Sequence, residues 1–225
     1  KRQTFGLVGE SGCGKTTVTR LINGLIPHFF SGELTGIISV CGLEVPNSEI
    51  VELSDHVGSV FQNPRTQFFN TDTDSEIVFG LENRALPQEQ LKKRLEETCS
   101  ELHLSSLRRR NIFELSGGEK QKIAFASVYA TQPEIFVLDE PSSNLDLKGI
   151  RELKRLLRMV KSQGKTIIVA EHRLWYLMEV ADRVLYMKDG RIVRDMPASA
   201  FRALTEQEVS SMGLRSCCLL YTSPS

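Results

Sequence analysis

Gly9-Glu10-Ser11-Gly12-Cys13-Gly14-Lys15-Thr16 lies between Thr4 to Val8, which reads as a short strand, and Lys15 to about Leu25, which reads as a helix stopped by Pro27. The stretch fits G-x-x-x-x-G-K-[ST] in the strand-to-helix context that this pattern requires. Its glycines permit positive φ and close backbone approach, so successive N–H groups can converge on phosphate oxygens. The start of the following helix adds unpaired N–H donors and a favourable dipole. The reading predicts nucleotide contacts from Gly9, Ser11, Gly12, Cys13, Gly14, Lys15, Thr16 and Thr17. Lys15 would neutralise the β and γ phosphates, and the Thr16 hydroxyl would help hold Mg²⁺.

Outward from this loop, strand and helix patterns alternate. Ile37 to Val40 and Val57 to Phe61 read as strands separated by the turn-rich Gly42 to Ser48. From about Asp74 to Leu107 apolar residues recur at three- to four-residue spacing, a helical period. Ser116 would cap a helix running to about Thr131, ended by Gln132-Pro133. Ile135 to Leu138 and Thr166 to Ala170 have the length of buried strands. Between them, Ile150, Leu153, Leu156, Leu157 and Val160 mark one apolar helix face that closes at Gly164. A helix is expected around Leu174 to Ala181, and Asp189-Gly190 signals a hairpin between Val184 to Met187 and Arg191 to Val193. The alternation predicts an α/β core with a mainly parallel sheet. The helical block between Gln62 and Ser116 interrupts it and is expected to form a separate lobe.

Asp139 and Glu140 follow four apolar residues and therefore fall at the carboxyl end of a buried strand, where α/β sheets bind ligands. Asp139 suits a contact to Mg²⁺. Glu140, one residue further out of the sheet, suits polarisation of an attacking water. Alone, such a pair is an ordinary strand-ending feature; its separation from the phosphate loop gives it weight.

Leu115-Ser116-Gly117-Gly118-Glu119 has a structural explanation, because S-x-x-E before a helix is a capping box. Capping does not explain Gly117 and Gly118, which weaken a first helical turn by up to about 1 kcal/mol each relative to Ala. Two glycines there make sense where backbone N–H groups must approach a phosphate closely.

Bulk properties bound the reading. The 225 residues hold 28 Lys plus Arg against 28 Asp plus Glu, so no charge excess argues for nucleic acid or an anionic membrane surface. No apolar run approaches the roughly 18 to 20 residues of a membrane span. No secretory signal is visible, and the start at Lys1 without Met leads us to expect a missing N-terminal piece. The five Cys follow no metal spacing and no disulfide framework, which fits a reducing compartment. Cys218 to Ser225 reads as translated sequencing adapter, so residues 217–225 are set aside as a scar.

From about Gln3 to Gly190 the ordered motifs resemble the ATP-binding cassette (ABC) ATPases. The resemblance makes Ser116 to Glu119 the signature that serves ATP held by a partner; Glu119 departs from the commoner Gln of the family. It makes Gln62 the Q-loop glutamine linking the Mg²⁺–water site to the membrane partner. Ser143-Asn144-Leu145-Asp146 becomes the D-loop that crosses the dimer interface, with Ser143 and Asp146 as its contacts. His172 becomes the switch histidine on the γ-phosphate. The implied catalytic set is Glu140, His172 and Gln62, the implied Mg²⁺ set Thr16, Gln62 and Asp139, and the implied cofactors ATP and Mg²⁺. Residues 1–216 would form one nucleotide-binding domain, with its core in 1–61 and 132–195, a helical signature lobe at about 63–131, and a small antiparallel β part. Two such domains, in a homodimer, heterodimer or tandem pair, would sandwich two ATP molecules and reopen after hydrolysis.

Phe61 to Phe68, Glu76 to Asn83 and Glu171-His172-Arg173-Leu174 resemble the ATPase subunits of energy-coupling factor (ECF) vitamin and metal-ion importers. That resemblance implies a peripheral place on the cytoplasmic face of a membrane, a transmembrane coupling subunit, and indirectly a substrate-binding membrane subunit. Phe61, Phe68, Phe69, Ile77 and Phe79 would either line a groove for the coupling protein or pack the helical lobe. Another importer class remains as an alternative, as does a soluble cassette ATPase acting on nucleic acid or ribosomes. No long basic or coiled-coil insertion supports the latter, and nucleic acid is not expected as a partner. No aromatic stands where the resemblance implies an adenine-stacking residue; either an upstream piece is missing, the favoured reading, or adenine binding is weak, and a version extended upstream is expected to bind ATP more tightly.

Overall fold

The computed structural model describes residues 2–214. The residues set aside as an adapter scar, 217–225, lie outside them. The strands are β1 (Thr4–Gly9), β2 (Ser39–Val40), β3 (Leu43–Glu44), β4 (Val57–Val60), β5 (Ile135–Asp139), β6 (Thr166–Glu171), β7 (Arg183–Lys188) and β8 (Arg191–Pro197). Six of them form one sheet in the order β4-β5-β6-β1-β7-β8, parallel except for the β7–β8 pair. The protein is thus α/β with a mainly parallel sheet. β2 and β3 form a separate antiparallel pair.

Register decides where chemistry can occur. Val8 pairs with Glu171, Gly9 with Met187, Asp139 with Ala170, and Val60 with Leu138. The carboxyl ends of β1, β4, β5 and β6 therefore finish along one edge, as strand ends do in ligand-binding α/β sheets. The strands are buried because helices cover the sheet, and their apolar runs do not alternate with polar residues.

The helices are α1 (Lys15–Ile22), α2 (Leu25–His28), α3 (Ile50–His56), α4 (Thr73–Glu82), α5 (Gln88–Glu101), α6 (Gly117–Ala130), α7 (Leu147–Ser162), α8 (Leu174–Leu177), α9 (Ala198–Arg202) and α10 (Glu206–Ser211). The α7 face read from the sequence is buried at all five positions, Ile150, Leu153, Leu156, Leu157 and Val160. Its apolar side joins a continuous cluster with Phe125, Tyr129 and Phe136, which also takes in Ile77, Leu81, Leu104 and Phe201. Helices α4, α5 and α6 therefore share one apolar core with the sheet.

Several boundaries differ from the sequence reading. The first helix ends at Ile22, not near Leu25, because Gly24 takes a left-handed φ of 78° and stops it before Pro27 is reached. The period between Asp74 and Leu107 spans two helices: Ala85 has φ 53° and Pro87 is extended, so the chain turns while Leu86 still packs inward. The helix after β6 closes at Leu177, short of Ala181. β2 is two residues long, and β3 falls in the segment read as a turn, because Cys41 and Gly42 both adopt positive φ and close a tight hairpin. The Asp189-Gly190 hairpin forms as expected, with φ of 49° and 75°.

Candidate functional site

Gly9 closes β1 under close packing: a Cβ there would collide with the Met187 carbonyl oxygen and Cys13 Sγ. Gly14 precedes α1 with φ 99°, a conformation that side chains with a Cβ rarely adopt. Lys15 is buried and folds back over the loop it follows, donating from Nζ to the carbonyls of Gly9 at 3.0 Å and Glu10 at 2.9 Å. Ser11, Gly12 and Thr17 are exposed, and Cys13 is buried beneath the loop. A cavity of about 350 Å³ opens over the loop, lined by Gly9, Glu10, Ser11, Lys15, Glu140, His172, Gly213 and Leu214.

Asp139 is the last residue of β5 and is buried. Burial pushes its carboxyl up from the ordinary value, while a hydrogen bond with Thr16 and the charges of Arg20 and Lys15 act the other way. Its Oδ1 has no hydrogen-bond partner. A buried, unpaired carboxylate oxygen beside a threonine hydroxyl at a phosphate loop suits a hard divalent cation, and Mg²⁺ takes such oxygen donors. Thr16 and Asp139 fit the ion. Gln62 donates its Nε2 to Glu140 at 2.9 Å, which leaves its Oε1, the atom that would bind the ion, out of that bond.

Glu140 turns out of the sheet with φ 45°, a left-handed conformation for a residue with a Cβ. Two backbone bonds hold it there: its N–H donates to the Ala170 carbonyl at 2.8 Å, and its carbonyl accepts from Ser143 N–H at 3.1 Å. Backbone strain of this kind collects at functional sites where the surroundings over-determine it. Gln62 Nε2 donates to Glu140 Oε2 at 2.9 Å. His172 Nδ1 lies 3.7 Å from Glu140 Oε1, too far for a hydrogen bond. Glu140 and His172, from two strand ends, thus line the phosphate-loop cavity, and Gln62, from a third, is bonded to Glu140.

Sequence reasoning assigned no role to Glu171. This fully buried carboxylate accepts from the backbone N–H groups of His172 at 2.9 Å and Arg173 at 3.0 Å through Oε1, and from the Tyr176 hydroxyl at 2.7 Å through Oε2. It fixes the turn that presents His172. An acidic residue ending an apolar strand was the available signal. Gly213 and Leu214 also escaped the reading, since nothing in the C-terminal segment marks contact with the loop.

Ser116 caps α6 as read. Glu119 Oε2 accepts from Ser116 N–H at 2.8 Å and from its hydroxyl at 2.7 Å, and these bonds hold the Glu119 carboxyl below the usual range. Gly117 and Gly118 have room: a Cβ would stand 3.6 Å from the Asn144 carbonyl oxygen and 3.9 Å from a Leu145 methyl, ordinary contacts. Packing within the chain gives no reason for either glycine. Ser116 to Glu119 line a cavity of about 570 Å³ with Asn144 and Asp146, separate from the one over the phosphate loop. Asp146 itself caps α7, accepting from Gly149 N–H at 2.7 Å. Ser143 and Asn144 lie between the two regions, and Asn144 Nδ2 reaches the Gln62 carbonyl at 3.4 Å. The structure does not bring Ser116, Gly117 and Gly118 to the phosphate loop.

A phosphate loop at a strand end, with a strand-end carboxylate behind it, defines a P-loop nucleoside triphosphatase. The profile of the ABC transporter family matches residues 1–143, and the chain belongs to that family, whose ATP-binding domains hydrolyse ATP. An ABC transporter ATP-binding protein of Treponema denticola is 63% identical over 215 residues, covering 96% of this chain and 44% of that protein. One from Methanosarcina acetivorans is 44% identical over 194 residues, covering 86% of this chain and 30% of its own length. The chain therefore spans less than half of either curated relative. The structure of cbiO1 from Clostridium perfringens, part of the ABC transporter complex cbiONQ, matches with TM-score 0.81 at 29% identity, covering 94% of this chain and 84% of that one.

Proposed function

We propose that this chain is the ATP-hydrolysing domain of an energy-coupling factor importer, working as a pair of cassettes on the cytoplasmic face of a membrane. The observation that carries the pairing is the separation of two cavities, one over the phosphate loop and one beside Ser116 to Glu119. Each is half of a site. Lys15 and the loop N–H groups would hold the triphosphate of one ATP, and the exposed start of α6 would reach the ATP of a second cassette. With Mg²⁺ held by Thr16, Asp139 and Gln62, the ion would neutralise phosphate charge. Glu140 would accept a proton from the attacking water, and His172 would contact the γ-phosphate. Residues 1–216 would act as one domain, with its signature lobe at about 63–131 carrying the half-site for the partner's ATP.

The importer assignment rests on the segments that resemble energy-coupling ATPases and on the likeness to cbiO1. It draws support from a cavity of about 500 Å³ between β4, α4 and α6, lined in part by Phe69, Phe79, Gln67 and Val51. Phe69 stacks on Phe79 at 4.8 Å and is 75% exposed, while Ile77 is buried in the core and Phe68 packs against it. A transmembrane coupling protein would cover Phe69 and Phe79, and another subunit would select the vitamin or metal ion. No helix among the described residues is long and apolar enough to cross a membrane. The test is photo-crosslinking from position 69 in intact cells, with the captured protein identified by mass spectrometry. Capture of a polytopic membrane protein is expected; capture of ribosomal proteins would contradict the assignment.

A further inference from the structure

At the opposite end of the sheet from the phosphate loop, three side chains from three segments meet. Cys41 sits in the turn between β2 and β3, His56 ends α3 and precedes β4, and Glu134 immediately precedes β5. The Cys41 sulfur, a His56 ring nitrogen and a Glu134 carboxylate oxygen all lie within 4.8 Å of one another. We propose that Cys41, His56 and Glu134 form a zinc-type divalent metal site, with water as the fourth ligand.

Two features make the cluster more than a chance meeting. The first is how it is held. Glu134 N–H donates to the His56 carbonyl at 2.9 Å, and His56 Nδ1 lies 2.9 Å from Glu134 Oε1, so backbone and side chains fix this pair together. The hairpin carrying Cys41 is anchored by Val40 and Val45, buried against Leu53, Val57 and Val137. The second is the residue in the turn. Cys41 has φ 52° in a two-residue turn whose positive φ values favour Asn-Gly. A cysteine there goes against local preference, and the closed turn holds its thiol within reach of His56 and Glu134.

The ligand chemistry selects the ion. A thiolate, an imidazole and a carboxylate form a borderline-soft set suited to Zn²⁺ and poorly suited to Mg²⁺. Around tetrahedral zinc, ligand atoms stand about 3.3 to 3.6 Å apart, given metal–ligand bonds of about 2.0 to 2.3 Å. Small side-chain rotations of exposed Cys41 and Glu134 bring the sulfur closer and open the 2.9 Å His56–Glu134 contact enough to admit the ion. On binding, the Cys41 S–H bond breaks, its proton passes to water, and the sulfur lone pair forms the bond to the metal. His56 gives the Nδ1 proton it shares with Glu134 to water, takes one from water on Nε2, and binds the ion through the freed Nδ1 lone pair. The ion would clip the β2–β3 hairpin to the amino ends of β4 and β5, independently of how ATP is bound.

Titration of the 225-residue chain with Co²⁺ as a spectroscopic probe, followed by displacement with Zn²⁺, tests this. A thiolate-to-cobalt charge-transfer band is expected at one equivalent, retained when Cys217 and Cys218 are both changed to Ser, and lost in Cys41→Ser. His56→Ala and Glu134→Ala should weaken Zn²⁺ binding at least about tenfold. Zn²⁺ should raise the melting temperature of the unmodified chain but not of Cys41→Ser, an exposed change that leaves the core intact. Absence of the band, or a band that survives Cys41→Ser, would overturn the proposal.

Discussion

Gln62 and Glu140 join the ends of two neighbouring strands through one hydrogen bond, Nε2 to Oε2 at 2.9 Å. Gln62 follows β4, and Glu140 leaves β5 with its backbone in the left-handed region. The carboxylate proposed to act on water is therefore held by the residue proposed to sense the membrane partner. A movement of the Gln62 loop changes where that carboxylate points, which is a physical route for coupling.

Lys15 is held by two loop carbonyls, and ATP phosphates would take over its charge. Lys15→Ala removes a charge-assisted interaction of about 1.5–3 kcal/mol. ATP affinity, measured by calorimetry, should fall about 10- to 150-fold, with the fold intact by circular dichroism.

Asp139 carries a charge that the fold disfavours. Its folded-state value is raised by burial, so the protonated form stabilises the native state below the ordinary aspartate range. That contribution disappears as pH rises through the raised value. At neutral pH, Asp139→Asn should melt a few degrees higher than the parent, and the gap should shrink as pH falls toward the carboxylate range. The same variant should lose Mg²⁺-dependent hydrolysis. Melting curves at several pH values check both signs.

Glu171→Ala leaves two backbone N–H groups and the Tyr176 hydroxyl without their acceptor. At about 1–3 kcal/mol for each unpaired group, with the two N–H groups part-buried and the hydroxyl buried, the loss should reach about 3 kcal/mol. A domain of this size melts about 2–4 °C lower per kcal/mol, so a fall of about 6 °C or more is expected. Tyr176→Phe removes one bond and should cost only about 1 kcal/mol. Hydrolysis should drop in Glu171→Ala beyond what reduced stability explains, because His172 loses its anchor.

Ser116→Ala separates the cap that Ser116 forms from its proposed contact with a partner's ATP. The lost cap should cost about 1 kcal/mol, near 2–4 °C in melting temperature. Nucleotide affinity of the isolated chain should stay unchanged, since Ser116 lies outside the phosphate-loop cavity. ATP-induced pairing, read by light scattering, should weaken.

Local patterns were legible where one physical cause dominated. Ser116 with Glu119, the buried face of α7 and the Asp189-Gly190 turn each follow from short-range chemistry, and each forms as read. Boundaries failed where backbone conformation overrode the apolar period, as at Gly24 and Ala85. The convergence of Gln62, Glu140 and His172 was readable only through motif order, because register sets their spacing. Glu171 was hidden because its three partners become neighbours only once β6 turns. The Cys41, His56 and Glu134 cluster was invisible for a stronger reason: its members are far apart in sequence, and the cysteines follow no metal-binding spacing.

The most direct test of the two-half-site account is the oligomeric state of Glu140→Gln with ATP. The substitution keeps the shape of the side chain and removes its basicity, so hydrolysis should fall by about 10²- to 10⁴-fold while both half-sites stay intact. Light scattering should show monomer without nucleotide and a stable dimer with ATP, each copy's Ser116 to Gly118 closing on the other's triphosphate. A Glu140→Gln chain that binds ATP and stays monomeric would contradict the account.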